Sequence, residues 1–149
     1  MIQKIKIIKT LIIIFSLTFP FSTNAQTVEE IIKGRKAMFS ENYQNAKRIS
    51  ILLKSGKIDE AKPLMEKISK NYTKLLDYFP ENTKEGFKTE ALPSIWENKK
   101  EFNDLMKKAS DDMIKLAEAV DTAKDLRAIQ KKFMWSNCSA CHSRFRAPH

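Results

Sequence analysis

"WSNCSACHSRFRAPH" (residues 135–149) closes the chain, and its reading decides what the rest of the molecule must be. Cys138 and Cys141 are the only two cysteines, and His142 follows the second directly. Three chemistries use such a pair. A disulfide or thioredoxin-like redox pair suits an oxidising compartment, but that motif belongs at a strand-to-helix junction, and this sequence has no strand pattern. A zinc site needs four ligands, and Cys138, Cys141 and His142 would have to recruit His149 from the tail. C-x-x-C-H is also the attachment signature of c-type haem: each thiol adds to a vinyl group, and the histidine supplies an axial nitrogen to iron. On a helix Cys138, Cys141, His142 and Phe145 fall at i, i+3, i+4 and i+7, which places both thiols and the imidazole on one face. The spacing supports the haem reading; zinc and disulfide are its rivals.

Moving outward, the chain before the motif reads as helix throughout. The whole sequence holds only three glycines and five prolines, and no β-branched alternation marks a strand. A first helix over 27–54 carries a stripe of Val28, Ile31, Ile32, Arg35, Met38, Phe39, Asn42, Ala46, Ile49, Leu52 and Leu53, apolar except at Arg35 and Asn42. Gly56 is its C-cap. A second helix over 58–78 ends at Pro80, and "PENTKEGFKTEAL" (80–92) is long enough to cross the end of a bundle. A third helix covers 94–120. A fourth covers 122–146, opened by a capping box of Thr122 and Asp125. Short links make neighbours antiparallel, so the fold class is all-α: an antiparallel up-down four-helix bundle with covalent haem near the C-terminus.

The other end of the chain gives an address. Lys4, Lys6 and Lys9 precede "LIIIFSLTFPF" (11–21), too short to span a bilayer, and "STNAQ" (22–26) offers small residues for cleavage. Residues 1–25 are therefore read as a cleaved secretory signal, with 26–149 the mature haem domain, and the periplasm as its location. Losing those three lysines lowers the net charge from +9 to +6. The remaining lysines alternate with acids and form no block of the kind that grips nucleic acid. No acid–base or nucleophile–base pair is visible, so the chain is not read as an enzyme.

The position of the motif constrains the iron. No methionine follows it, and His149 lies on the same helix side, so any sixth ligand comes from upstream. No upstream histidine exists, which leaves Met38, Met65, Met106, Met113 and Met134.

Three stretches together resemble the cytochrome c′ family, the class II c-type cytochromes. "CSACHSRFR" (138–146) resembles its attachment site, with an aromatic and an arginine three and four residues past the histidine. "GRKAMF" (34–39) resembles its arginine followed four residues later by the distal residue, and "ALPSIWENKKEF" (91–102) the opening of its third helix. The resemblance covers nearly all of 28–147. It implies one haem c, with Cys138 and Cys141 as thioether cysteines, His142 as the axial ligand, and Arg146 beside the proximal pocket. It places Arg35 near the propionates, where the competing reading is a stripe-edge arginine whose head reaches solvent. It puts Phe39 in the distal pocket. Trp96 is read as a core aromatic.

A phenyl ring cannot coordinate, so five-coordinate iron behind an apolar distal wall with no polar selection is the first reading. The resemblance then implies binding of NO and CO, electron transfer, or both, with an unidentified redox partner and a homodimer as a family habit. The alternative is a low-spin electron carrier with Met38 as sixth ligand. A haem-free zinc-binding or interaction bundle comes third. Cys138→Ala or Cys141→Ala should leave at most one thioether and lower holoprotein yield, as read by intact mass and haem absorbance; undiminished two-point attachment would contradict the reading.

Overall fold

The computed structural model describes residues 26–148; the signal reading of 1–25 and the tail residue His149 lie outside the described residues. The first helix, α1 (Val28–Lys54), starts where the chain supplies its own cap. Thr27 Oγ1 accepts from the Glu30 amide at 3.2 Å, and Glu30 Oε2 accepts from the Thr27 amide at 2.8 Å. That reciprocal pair satisfies two of the amide donors a helix start leaves orphaned. The helix ends in a Schellman turn: Gly56 takes φ +70°, Lys57 N donates to Leu52 O at 2.9 Å and Gly56 N to Leu53 O at 3.2 Å. The sharp reversal delivers α2 (Ile58–Leu75) back against α1.

The second helix is shorter than the expected 58–78, because the last turn tightens, with Tyr78 N donating to Leu75 O. The connection that follows holds a single 3-10 turn, Glu81–Thr83. The third rod is also not the single helix the periodicity predicts. It comprises α3 (Ser94–Glu97) and α4 (Lys99–Ala119), broken at Asn98 (φ −120°, ψ 44°). Asn98 turns its side-chain amide onto Ser94 O at 3.3 Å, the local competition that makes asparagine a poor interior helix residue.

The fourth rod departs furthest from expectation. It starts later, at α5 (Leu126–Gln130), and Asp125 rather than Thr122 caps it, accepting from the Ala128 amide at 2.9 Å. A π turn (Lys131–Trp135) follows, then α6 (Ser136–Phe145), so Arg146 lies just past the helix rather than within it. These four rods form the expected up-down bundle, with α2 packed on both α1 and α4 and the last rod lying along α4. Among the described residues no strand occurs; one antiparallel bridge joins Ala91 to Arg146.

Two apolar clusters hold the rods together. One contains Ile49, Leu53, Met65, Ile68, Met113 and Leu116. The other is aromatic: Phe79, Trp96, Phe102 and Phe145, with ring centroids 4.7 Å apart for Phe79–Phe102 and 5.4 Å for Phe102–Phe145. Leu116 is fully buried in the first cluster, whereas Ile51 is 60% exposed on the outer face of α1. Leu116→Ala should therefore lower the unfolding free energy by about 2–5 kcal/mol in urea titration, and Ile51→Ala should change it by less than about 0.5 kcal/mol.

Candidate functional site

Between the two clusters lies a cavity of about 710 Å³. That falls within the range of about 300–1,000 Å³ usual for small-molecule and cofactor sites. All four rods contribute to its wall. From α1 come Arg35, Phe39, Asn42 and Ala46; from α2, Ile68 and Tyr72; from α4, Phe102, Met106 and Met113. The fourth rod contributes Met134, Asn137, Cys138, Cys141 and His142, and the connection before α3 adds Thr89, Glu90 and Ala91.

The π turn sets which residues of the fourth rod reach this wall. Ser136 N bonds back to Lys131 O, five residues earlier, and Ser136 Oγ reaches the same carbonyl at 2.6 Å. One extra residue in a turn rotates everything after it by about 100° relative to α5. A continuous helix from Leu126 would point Ala140 and Arg144 inward; after the π turn, Cys141 and Phe145 take those places. Both thiols are half-buried, and His142 stands at the exposed rim of the cavity rather than deep inside.

Electrostatics keep the thiols neutral. Burial pushes the Cys138 thiol up, partly offset by a hydrogen bond with the Tyr72 hydroxyl, which burial raises in turn. Burial and the neighbouring Cys138 sulfur push Cys141 up to about 11. At neutral pH neither is a thiolate, so the free pair shows no redox-active character of the kind that a low-pKa cysteine confers.

Arg35 is 2% exposed, so its head does not reach solvent. One terminal nitrogen donates to Tyr78 O at 3.2 Å and Thr83 Oγ1 at 3.0 Å; the other donates to Thr83 O at 2.9 Å and Thr89 Oγ1 at 2.7 Å. The guanidinium also lies 4.7 Å from the Phe79 ring centre. Burial lowers it to about 10, still cationic at pH 7. Arg146 lines the cavity too, its Nε donating to Glu90 Oε2 at 2.9 Å. Met38 packs on the aromatic cluster and Trp96 is a core aromatic donating to Phe79 O at 3.1 Å; neither is among the cavity's lining residues, whereas Phe39 is.

One element had no sequence signal. Asp112 is buried between α4 and α6, receiving Asn137 Nδ2 at 3.0 Å, Lys115 Nζ at 3.3 Å and a short contact from Lys108. Asn137 also donates to Phe133 O at 2.9 Å and accepts from Lys108 at 3.0 Å. The network fixes the residue immediately before Cys138. Only an acid falling on the inward face of α4 could have hinted at it.

An apolar cavity, two thiols beside an imidazole on one wall, and the Arg35 cation near the loop-side end fit a flat apolar ring with acidic edges. The zinc reading needs His149, which lies outside the described residues; among the described residues no group of three or more His, Cys, Asp or Glu gathers to hold a metal ion. Fold and site together define a c-type haem protein built on a helical bundle. The family model described as Cytochrome C′ matches residues 30–146, and the chain belongs to that family. It is 34% identical over 128 residues to the cytochrome c′ of Rhodopseudomonas palustris, covering 83% of this chain and 84% of that one. The solved structure of cytochrome c′ from Rhodopseudomonas palustris superposes with a TM-score of 0.69 at 32% identity, over 83% of this chain and 98% of that one. A nitric oxide complex of a mutant cytochrome c′ from Alcaligenes xylosoxidans shares the fold, with TM-score 0.70 and 22% identity over 83% and 99% of the two chains.

The pH dependence of the Asp112 network gives a direct check. Burial alone would raise this carboxyl, but its bonds from Lys108, Asn137 and Lys115 and the Lys108 charge hold it below the usual range. Its contribution is therefore complete above about pH 4 and is lost as pH falls through the lowered folded value. Asp112→Asn should cost about 1.5–3 kcal/mol at pH 7, and the gap from wild type should narrow on acidification in urea titrations at several pH values.

Proposed function

We propose that this chain holds one haem c through thioethers at Cys138 and Cys141 with His142 as axial ligand, and that it is a periplasmic carrier of electrons or small gases with five-coordinate iron. Bound there, haem supplies a redox-active iron with one position open to NO or CO. The chain's own residues do the rest. Cys138 and Cys141 anchor the group to α6, and the Asp112–Asn137 network keeps that wall from shifting. Arg35, whose charge meets only neutral acceptors, favours the group's acidic edge at the loop-side end, while Arg146 beside the site is already paired with Glu90. Phe39 screens the α1 side from water with a group that cannot coordinate.

The observation that carries this reading is the placement of Phe39, and not Met38, in the cavity wall. Met38 as sixth ligand would require α1 to rotate about its axis, against the four hydrogen bonds that tie Arg35, on the same helix, to the 78–89 segment. Support for gas binding comes from the Alcaligenes xylosoxidans neighbour, solved as a nitric oxide complex. Support for export comes from the signal-like character of residues 1–25.

Phe39→Met offers sulfur from the place the phenyl ring occupies. The optical spectrum of the reduced protein should change from high-spin in wild type to low-spin in the variant. A wild-type spectrum that is already low-spin, or a variant spectrum that does not change, would count against the five-coordinate assignment.

A further inference from the structure

The cavity reaches the surface between α1 and the fourth rod. Among its lining residues, Ser40 and Tyr43 on α1 and His142 on α6 are exposed, and Trp135 is half-buried. α1 packs on α2 and touches α5 but makes no comparable contact with α6. Tyr43 is 55% exposed, so an aromatic ring stands open at the mouth.

Charge is distributed unevenly about this opening. Lysines alternate with acids along most of the chain, yet all eighteen acids lie outside residues 42–54 and 126–148. Those two stretches form the banks of the mouth: the second half of α1 on one side, and α5, the π turn and α6 on the other. On the other faces acids accompany the lysines, in pairs such as Lys67–Glu41 and Lys100–Asp104. Glu90, the acid in the cavity lining, is already paired with Arg146. Among the described residues, exposed Lys47, Lys131 and Lys132 form no ion pair. Lys47 lies one turn past Tyr43, its Nζ 4.8 Å from the ring centre. Lys131 and Lys132 lie four and three residues before Trp135.

We propose that this face is the docking surface for an acidic redox protein, with Tyr43 and Trp135 at its centre and Lys47, Lys131 and Lys132 on its rim. One such lysine would be an ordinary solvated cation; their gathering on both banks of one opening selects the sign of the partner. The aromatics lose water on contact, and the unpaired lysines steer the encounter and fix its orientation. This rests on the electron-carrying reading and adds the chemistry of the partner. An anionic lipid surface would also satisfy the lysines, but it would cover the opening without exchanging an electron through it.

The test uses the mature holoprotein with ferric iron. Its probe is reduced flavodoxin, a small acidic flavoprotein of low potential, whose anionic flavin hydroquinone gives up one electron that the ferric iron accepts. At low ionic strength the stopped-flow rate should be about tenfold lower for Lys47→Glu/Lys131→Glu than for wild type, and the wild-type rate should fall as salt is raised. Lys70→Glu/Lys107→Glu replaces exposed lysines on α2 and α4, alters the net charge equally, and should slow the reaction less than about twofold. Equal slowing by both pairs, or rates indifferent to salt, would overturn the docking face while leaving electron carriage intact. Binding to phosphatidylglycerol vesicles that the first pair abolishes, with reduction by flavodoxin unchanged, would overturn it in favour of a membrane surface. A wild-type protein that flavodoxin does not reduce would instead remove the electron-carrying reading, and this one with it.

Discussion

A guanidinium buried in a helical bundle dictates more of this structure than any single apolar contact. Arginine keeps its charge, so its N–H groups must find oxygen wherever the fold takes them. The acceptors all come from one irregular stretch, at Tyr78, Thr83 and Thr89. Satisfying Arg35 therefore pulls the long connection between α2 and α3 down onto α1, forming the loop-side end of the cavity. Each of these acceptors is neutral, so the positive charge is solvated without being cancelled. That distinguishes a structural ion pair from a charge that still favours an anionic edge beside it.

The opposite wall obeys a different constraint, that of register. A helix presents a fixed face, and on the fourth rod the residues that matter are nearly one position out of phase with those that pack α5. The π turn reconciles the two. It lets Leu126 and Ile129 pack on the first cluster while Cys141 and Phe145 face the cavity and the second. Asp112 and Asn137 then lock the corrected register at the point where the thiols begin.

Much of this was legible in the residues. The C-x-x-C-H spacing has one dominant chemical use in a helical chain with no other cysteine, and the α1 stripe reports its buried face because burial imposes the helical period. Gly56 marked the end of α1 because only a residue at ease with positive φ closes a Schellman turn. The irregularities were hidden. A π turn costs one residue of phase, within the tolerance of any apolar stripe, so "KKFMW" looks like ordinary helix. The break at Asn98 depends on a side chain turning onto Ser94 O, a choice the composition leaves open. Arg35 and Asn42 stood out as polar members of an apolar face, but their partners lie 29 to 54 residues away, and no local pattern encodes them.

The last helix is anchored where it ends. Helix ends fray unless they are tied down, and a fraying helix could not hold a large group in a fixed plane. Here the end of α6 is clamped. Leu92 N donates to Phe145 O at 3.1 Å and Ala147 N to Glu90 O at 2.8 Å, flanking the Ala91–Arg146 bridge, and Arg146 adds its ion pair to Glu90. Phe145 is buried in the aromatic cluster from the same turn. The segment that takes these bonds belongs to the connection that Arg35 holds through Thr89. The buried cation on the first helix and the attachment wall on the last are thus coupled through one loop, so loosening Arg35 would release the clamp on α6 as well as the cavity's end.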